Sequence, residues 1–274
     1  MTAPIVIYTD LDGALLNGKS YSWRGAEEAL EEIERRHIPL VFCTSKTRAE
    51  VEDLRRKLGN AHPFITENGG GVFIPHGYFS QPLGGAERAG HYHCFALGRP
   101  YAEIVEELER IAAEAGAEVA GFHQMNAREI ASNTGLNARQ AERARAREFD
   151  EPFFFAGADA GAEEKFLRLA RERGLQAVRG DRFWHLSAGS DKGRAVQLLS
   201  RFYRKNWRGH LQAVGLGSSA NDLPMLAAVD VAVLLPEANG SFAPEVLARL
   251  PAIRQANAPC PAGWNEAVLR ILKA

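Results

Sequence analysis

The sequence predicts an α/β fold, a doubly wound and mostly parallel sheet with a second α/β unit inserted into it. Three observations carry this. Short apolar runs at residues 5–8, 37–44 and 211–216 read as strands buried on both faces. They alternate with segments of helical period, a βαβα order that calls for parallel strands joined by right-handed crossovers. From about Gly84 the texture changes, and roughly a hundred residues of mixed strands and helices follow before the first pattern resumes. The expected division is therefore residues 1–84 and 187–274 for the core and 85–186 for the insertion.

Taken in order, the first strand runs into Asp10, Leu11, Asp12 and Gly13. Carboxylates are costly at a buried strand end unless they are paired or hold a cation. Residues i and i+2 of an extended chain point the same way, so both acids can face one volume. That pattern suits phosphoryl transfer, with one carboxylate as nucleophile and the other moving protons; taken alone it also suits a polar turn. Ser22 is placed to cap a helix whose apolar positions are Ala26, Ala29, Leu30 and Ile33. The second strand ends in Thr44, Ser45, Lys46 and Thr47, followed by a helix with Thr47 and Glu50 at capping-box spacing. Thr44 could orient a phosphate, with Lys46 nearby, or the hydroxyls could simply cap the helix. Residues 64–74 read as two strands joined at Glu67, Asn68, Gly69 and Gly70 by an Asn-Gly turn.

Within the insertion the pattern predicts strands at 91–97, 118–122, 152–155, 175–178 and 182–186, and helices around 104–111, 127–131, 137–147 and 163–173. The run Arg139, Arg143, Arg145 and Arg147 reads as a solvated helix face from which one arginine could reach an anionic substrate. Beyond it, Lys192 and Gly193 open a helix. A strand at 211–216 ends in Gly217, Ser218, Ser219, Ala220, Asn221 and Asp222, and a helix at 223–228, a strand at 229–235 and a terminal helix at 266–272 complete the chain. Three strands thus end in acidic or hydroxylic sets, at the edge where open α/β sheets bind ligands.

Composition narrows the function classes. Across 274 residues, 33 basic side chains stand against 34 acidic ones, which leaves no electrostatic footprint for nucleic acid or an anionic membrane. No apolar run approaches the roughly 20 residues of a membrane span, and the first residues lack the basic region of a signal peptide. Cys43, Cys94 and Cys260 lie far apart and form no metal or redox motif, which fits a reducing cytoplasm. A dinucleotide site is not expected, because the first strand leads into acids that would repel a pyrophosphate.

As an ordered set, Asp10 with Asp12, Thr44, Lys192 with Gly193, and Gly217 with Asn221 and Asp222 resemble the haloacid dehalogenase superfamily of phosphatases. The resemblance covers essentially the whole chain and implies a doubly wound core with an α/β cap. Finer pieces resemble the mannosyl-3-phosphoglycerate phosphatase family: residues 44–48, 67–70, 147–152, 182–185 and 215–217. That family removes phosphate from a glycosyl-3-phosphoglycerate to give a compatible solute, mannosylglycerate. The resemblance implies Asp10 as nucleophile and Asp12 as general acid/base, with Thr44 and Lys192 holding the transferring phosphoryl group. It implies Mg²⁺ on Asp10, the Asp12 carbonyl and Asp222, and substrate contacts from Ser45, Lys46, Glu67, Asn68, Gly69 and Asn221. Arg147, Arg182 and His185 are its candidates for the glycerate carboxylate or the sugar. Two positions depart from the superfamily pattern, Ala14 where Thr is usual and Ser218 where a metal-ligating Asp is usual. The alternatives kept beside this reading are a catalytically weakened binding or regulatory protein, and a phosphatase or phosphomutase for another sugar phosphate.

Overall fold

Alternation along the first strand decides the layers. A computed structural model describes residues 3–157, 159–179 and 183–273. In β1 (Ile5–Thr9), Val6 and Tyr8 face one apolar cluster and Ile7 the other. The core half then runs α1 (Glu27–Arg35), β2 (Leu40–Cys43), α2 (Arg48–Leu58), β3 (Phe64–Thr66), β4 (Gly71–Pro75), β5 (Glu87–Ala89) and β6 (Tyr92–Ala96). The insertion contributes α3 (Tyr101–Ala115), β7 (Val119–Gly121), α4 (Ala127–Thr134), α5 (Ala138–Arg145), β8 (Asp150–Phe155), α6 (Ala160–Glu172), β9 (Gln176–Arg179) and β10 (Trp184–Ser187). The chain returns to the core through α7 (Lys192–Asn206), β11 (Gln212–Gly217), α8 (Leu223–Ala227), β12 (Val231–Leu234), α9 (Pro244–Arg249), β13 (Arg254–Gln255) and α10 (Ala262–Lys273).

Among the described residues the core sheet has the order β13-β12-β11-β1-β2-β3-β4-β6-β5. It is parallel from β13 to β3 and antiparallel beyond. Ala29 and Ile33 of α1, Val51 and Leu54 of α2 and Trp264 and Val268 of α10 join the cluster on the Ile7 face. Ala195, Leu199 and Tyr203 of α7 and Met225 and Leu226 of α8 join the other. Helices on both faces explain why the strands read as unbroken apolar runs.

The insertion is a four-stranded antiparallel sheet, β7-β8-β10-β9. Phe153 faces a cluster with α3 and α6, while its neighbour Phe154 packs against the cluster of α4 and α5. Two expectations are corrected. The strand foreseen at 91–97 belongs to the core, because β6 pairs with β4 and β5 pairs with β6; the first cap element is α3, not residue 85. Ser22 does not cap α1, which starts at Glu27 after Ala26, and its hydroxyl instead accepts the Arg24 N–H at 3.1 Å. α9 and β13 carried too few residues to show a period.

Candidate active site

The parallel strands end on one edge, and the acids collect there. The Asp10 N–H donates to the Leu216 carbonyl at 2.9 Å, so its backbone is still paired to β11. Thr9 Oγ1 donates to the Asp10 carbonyl at 2.7 Å and accepts from Trp264 Nε1 at 3.0 Å. Lys192 is the first residue of α7, whose cap Asp191 accepts the Arg194 N–H at 2.8 Å. Gly193 follows because a Cβ there would lie 2.4 Å from the Pro224 carbonyl oxygen; only glycine lets α7 press this close to α8.

Lys192 Nζ donates to Asp10 Oδ1 at 3.1 Å and to Asp222 Oδ1 at 2.7 Å, with all three side chains buried. The other Asp222 oxygen accepts the N–H groups of Ser218 at 2.8 Å and Ser219 at 3.1 Å. Burial and the adjacent Asp222 push Asp10 up to about 7 against the pull of Lys192. Burial opposes the Lys192 charge, but Asp10 and Asp222 overcome it and raise that ammonium above its ordinary range. Asp12 turns to a different cation, Lys46, whose Nζ lies 2.7 Å from Asp12 Oδ2 and 3.7 Å from Glu50. Thr44, 1% exposed, accepts the Lys46 N–H at its hydroxyl and the Asn68 N–H at its carbonyl.

The remaining predicted residues divide. Asn221 Nδ2 donates to Asn68 Oδ1 at 3.5 Å, and Asn68 Nδ2 to Asp150 Oδ2 at 3.4 Å, a polar bridge from the β11 loop to the cap. His185 shares Asp150 through Nδ1 at 3.1 Å, and burial, aided by the Arg147 guanidinium, pushes this ring down to about 3. Ser45 contributes its carbonyl, which accepts from Arg147 Nη2 at 3.1 Å. Ser218 is buried beside Gly13. Three residues expected to contact substrate are engaged within the fold. Glu67 has no exposed surface, and its carboxylate accepts the N–H groups of Glu148, Phe149 and Asp150 at 2.7–3.0 Å. Arg147 pairs with Asp150, lies 3.7 Å from Glu67 and is almost wholly buried. Gly69 packs its backbone on Asp191 and Lys192. All three hold the cap and α7 in place. Arg182 lies outside the described residues.

The cluster suits a hard divalent cation. Asp10 and Asp222 share a single ammonium, and Asp12 Oδ1 is buried without a hydrogen-bond partner. Among the described residues no three His, Cys, Asp or Glu side chains are grouped to hold a metal by themselves. Mg²⁺ is commonly held by one or two carboxylates with waters and phosphate oxygens, so the donor set fits it. The arrangement as a whole is a buried carboxylate pair on one ammonium, with a second acid and a second ammonium beside it at a strand edge, a set suited to metal-assisted phosphoryl transfer. Among the described residues no helix is long and apolar enough to cross a membrane.

Comparison with known proteins agrees with this chemistry. The haloacid dehalogenase-like hydrolase family matches residues 7–79. The chain is 39% identical over 267 residues to the glucosyl-3-phosphoglycerate/mannosyl-3-phosphoglycerate phosphatase of Methanococcoides burtonii, covering 97% of each chain. It is 40% identical over 269 residues to the protein of the same name from Persephonella marina, covering 98% of this chain and 97% of that one. Among solved structures, a phosphatase of the haloalkanoate dehalogenase superfamily from Bacteroides thetaiotaomicron superposes with a TM-score of 0.69 at 18% identity, over 100% of this chain and 96% of the other. At that identity the likeness is one of fold.

Proposed function

We infer the substrate and cofactor from one premise: the chain belongs to the glycosyl-3-phosphoglycerate phosphatase family of haloacid dehalogenase-like hydrolases, and is a phosphatase. The substrate is a glycosyl-3-phosphoglycerate, mannosyl or glucosyl, and the products are the glycosylglycerate and phosphate. The observation that carries this reading is Lys192 bridging Asp10 and Asp222 at the end of β1.

Asp10 attacks phosphorus and forms an aspartyl-phosphate, while the P–O bond to the glycerate breaks. Asp12 gives its proton to the departing oxygen and takes one back from the water that hydrolyses the phospho-enzyme. Lys46 orients the Asp12 carboxylate, and Lys192 offsets charge on the phosphoryl oxygens beside Thr44. Mg²⁺ would be held by Asp10, the Asp12 carbonyl and Asp222, and would supply further neutralisation of the phosphoryl oxygens. Ser218 supplies a neutral hydroxyl where the superfamily pattern has a charged ligand, so the cation is held less tightly than a third carboxylate would hold it.

The test is phosphate release from mannosyl- and glucosyl-3-phosphoglycerate across a Mg²⁺ titration. Wild type turns over, Asp10→Asn loses on the order of 10³-fold or more in kcat, and Ser218→Asp reaches half-maximal rate at lower Mg²⁺. Silence of the wild type on both esters at saturating Mg²⁺ sinks the reading.

A further inference from the structure

We propose that the cleft between α2, the loop carrying Tyr21 and Trp23, and the cap helix α5 is the subsite for the departing glycosylglycerate, with Arg143 taking the glycerate carboxylate and Trp23 facing the sugar. This rests on the substrate reading above and assigns it to particular side chains.

Direction comes first. The acid that protonates the departing oxygen stands on the leaving-group side of phosphorus, and Asp12 pairs with Lys46 while Asp10 pairs with Lys192. Lys46 in turn lines the cleft, together with Tyr21, Trp23, Leu136, Gln140 and Arg143. The cleft is open at its mouth and encloses about 80 Å³ of space. Its walls come from both units, so the cap has to be in place for it to exist. Lys46 Nζ stands 4.8 Å over the Tyr21 ring, which fixes one aromatic wall beside the catalytic acid. Mixed aromatic and polar walls are the usual lining of a small-molecule site.

The carboxylate partner follows by elimination within the basic run. Arg139 and Arg145 are exposed, and Arg147 is buried and fully engaged with Asp150, Glu67 and the Ser45 carbonyl. Arg143 alone is half-buried in the cleft wall, where its Nη2 pairs with Asp53 Oδ1 at 2.9 Å. Asp53 also binds Lys57 at 2.8 Å, so a substrate carboxylate that takes over Arg143 leaves Asp53 with a cation. The Asp53 carboxylate on Arg143 is thus exchanged for one that arrives with the ligand. The Arg143 carbonyl accepts the Thr47 hydroxyl at 2.8 Å, which keeps this turn of α5 against the start of α2.

The experiment compares glucosyl-3-phosphoglycerate, 3-phosphoglycerate and p-nitrophenyl phosphate on wild type, Arg143→Gln, Asp53→Asn and Trp23→Leu. Arg143→Gln should raise KM about 10-fold or more for both esters that carry a carboxylate, with kcat/KM on p-nitrophenyl phosphate within about twofold of wild type. Trp23→Leu should raise KM for the glycosyl ester alone. Asp53→Asn should keep KM at or below the wild-type value, because it removes only the competing carboxylate. Equal losses on all three esters, or an Asp53→Asn variant that behaves like Arg143→Gln, would show that these residues merely latch the cap, and would overturn the assignment. Unchanged KM in Arg143→Gln and Trp23→Leu overturns it too. A wild type that hydrolyses p-nitrophenyl phosphate but not the glycosyl ester overturns the substrate reading itself, and the subsite with it.

Discussion

Glu67 shows how far a single residue's role depends on its neighbours. Its side chain belongs to the turn after β3, yet its carboxylate collects three consecutive N–H groups from residues 148–150 of the cap. Burial pushes it up to about 7, while Arg147 and the N–H bonds pull the other way. Glu67→Gln replaces one accepting oxygen by an amide donor that faces those N–H groups. The expected cost is about 3 kcal/mol of unfolding free energy, read in urea-induced unfolding. From the sequence Glu67 stood out only as part of a turn and a family motif, and substrate contact was the natural reading. Nothing local to residues 67–70 tells that residues 148–150 come to meet it. Asp10 and Asp222 were legible for the opposite reason, since each follows an apolar run that ends in glycine and polar groups, whereas Lys192 was legible only as part of the family motif.

At the scale of elements, the turn joining β3 to β4 sets the position of α7. Glu67, Asn68 and Gly69 adopt φ of 48°, 56° and 92°, all in the left-handed region. A Cβ on Gly69 would lie 2.3 Å from the backbone carbonyl of Asp191 and 2.7 Å from the Lys192 nitrogen. Backbone cannot swing aside as a side chain does, so Gly69→Ala moves Lys192 away from Asp10. We expect this variant to lose about 3 kcal/mol of stability and most of kcat. Gly59→Ala is the comparison: it too has positive φ (65°) but open space around the added carbon. It should cost about 1 kcal/mol and leave kcat intact. Thermal unfolding and turnover of the two variants, side by side, check both numbers. The capping boxes at Thr47 with Glu50 and at Asn137 with Gln140 open α2 and α5. Thr47 and Glu50 had the spacing that announced it, because a cap is written in four consecutive residues.

For the whole molecule, acid stability is a matter of where neutral groups are buried. His62 lies where α2 and the start of β3 meet residues 76–79 and α7. Its Nδ1 is 2.7 Å from the Tyr78 hydroxyl, which is 3.0 Å from that of Tyr203, and Arg55 Nη2 donates to the His62 carbonyl at 2.6 Å. Burial first, and then the Arg55 charge, lowers this imidazole to about 4. An unfolded histidine titrates near about 6.5, so below that pH the unfolded chain binds a proton that the fold refuses. The stability His62 confers is therefore complete above pH 6.5 and lost as pH falls toward 4. Measured against His62→Gln, the wild-type advantage should be flat above that pH and shrink below it. The slope is at most about 1.4 kcal/mol per pH unit. Chemical unfolding of both proteins between pH 4 and 8 reads this difference directly, because carboxylates that titrate in the same window cancel between them.

The sequence by itself determined the doubly wound core, the edge at which its strands end and the acids that meet there. Those features follow from apolar runs, helical period and the residues just past each strand, all of them local. Tertiary structure alone decided that β5 and β6 extend the core sheet, since a strand's partner is not written in the strand. It also decided that Glu67 and Arg147 bind the cap to the core, while Arg143 and Trp23 line the open cleft. An arginine on a helix face is solvated, buried in a salt bridge or free to meet a ligand according to what packs opposite it, and at residues 139–147 that partner comes from α2 and the turn after β3, 80 to 100 positions away in the chain.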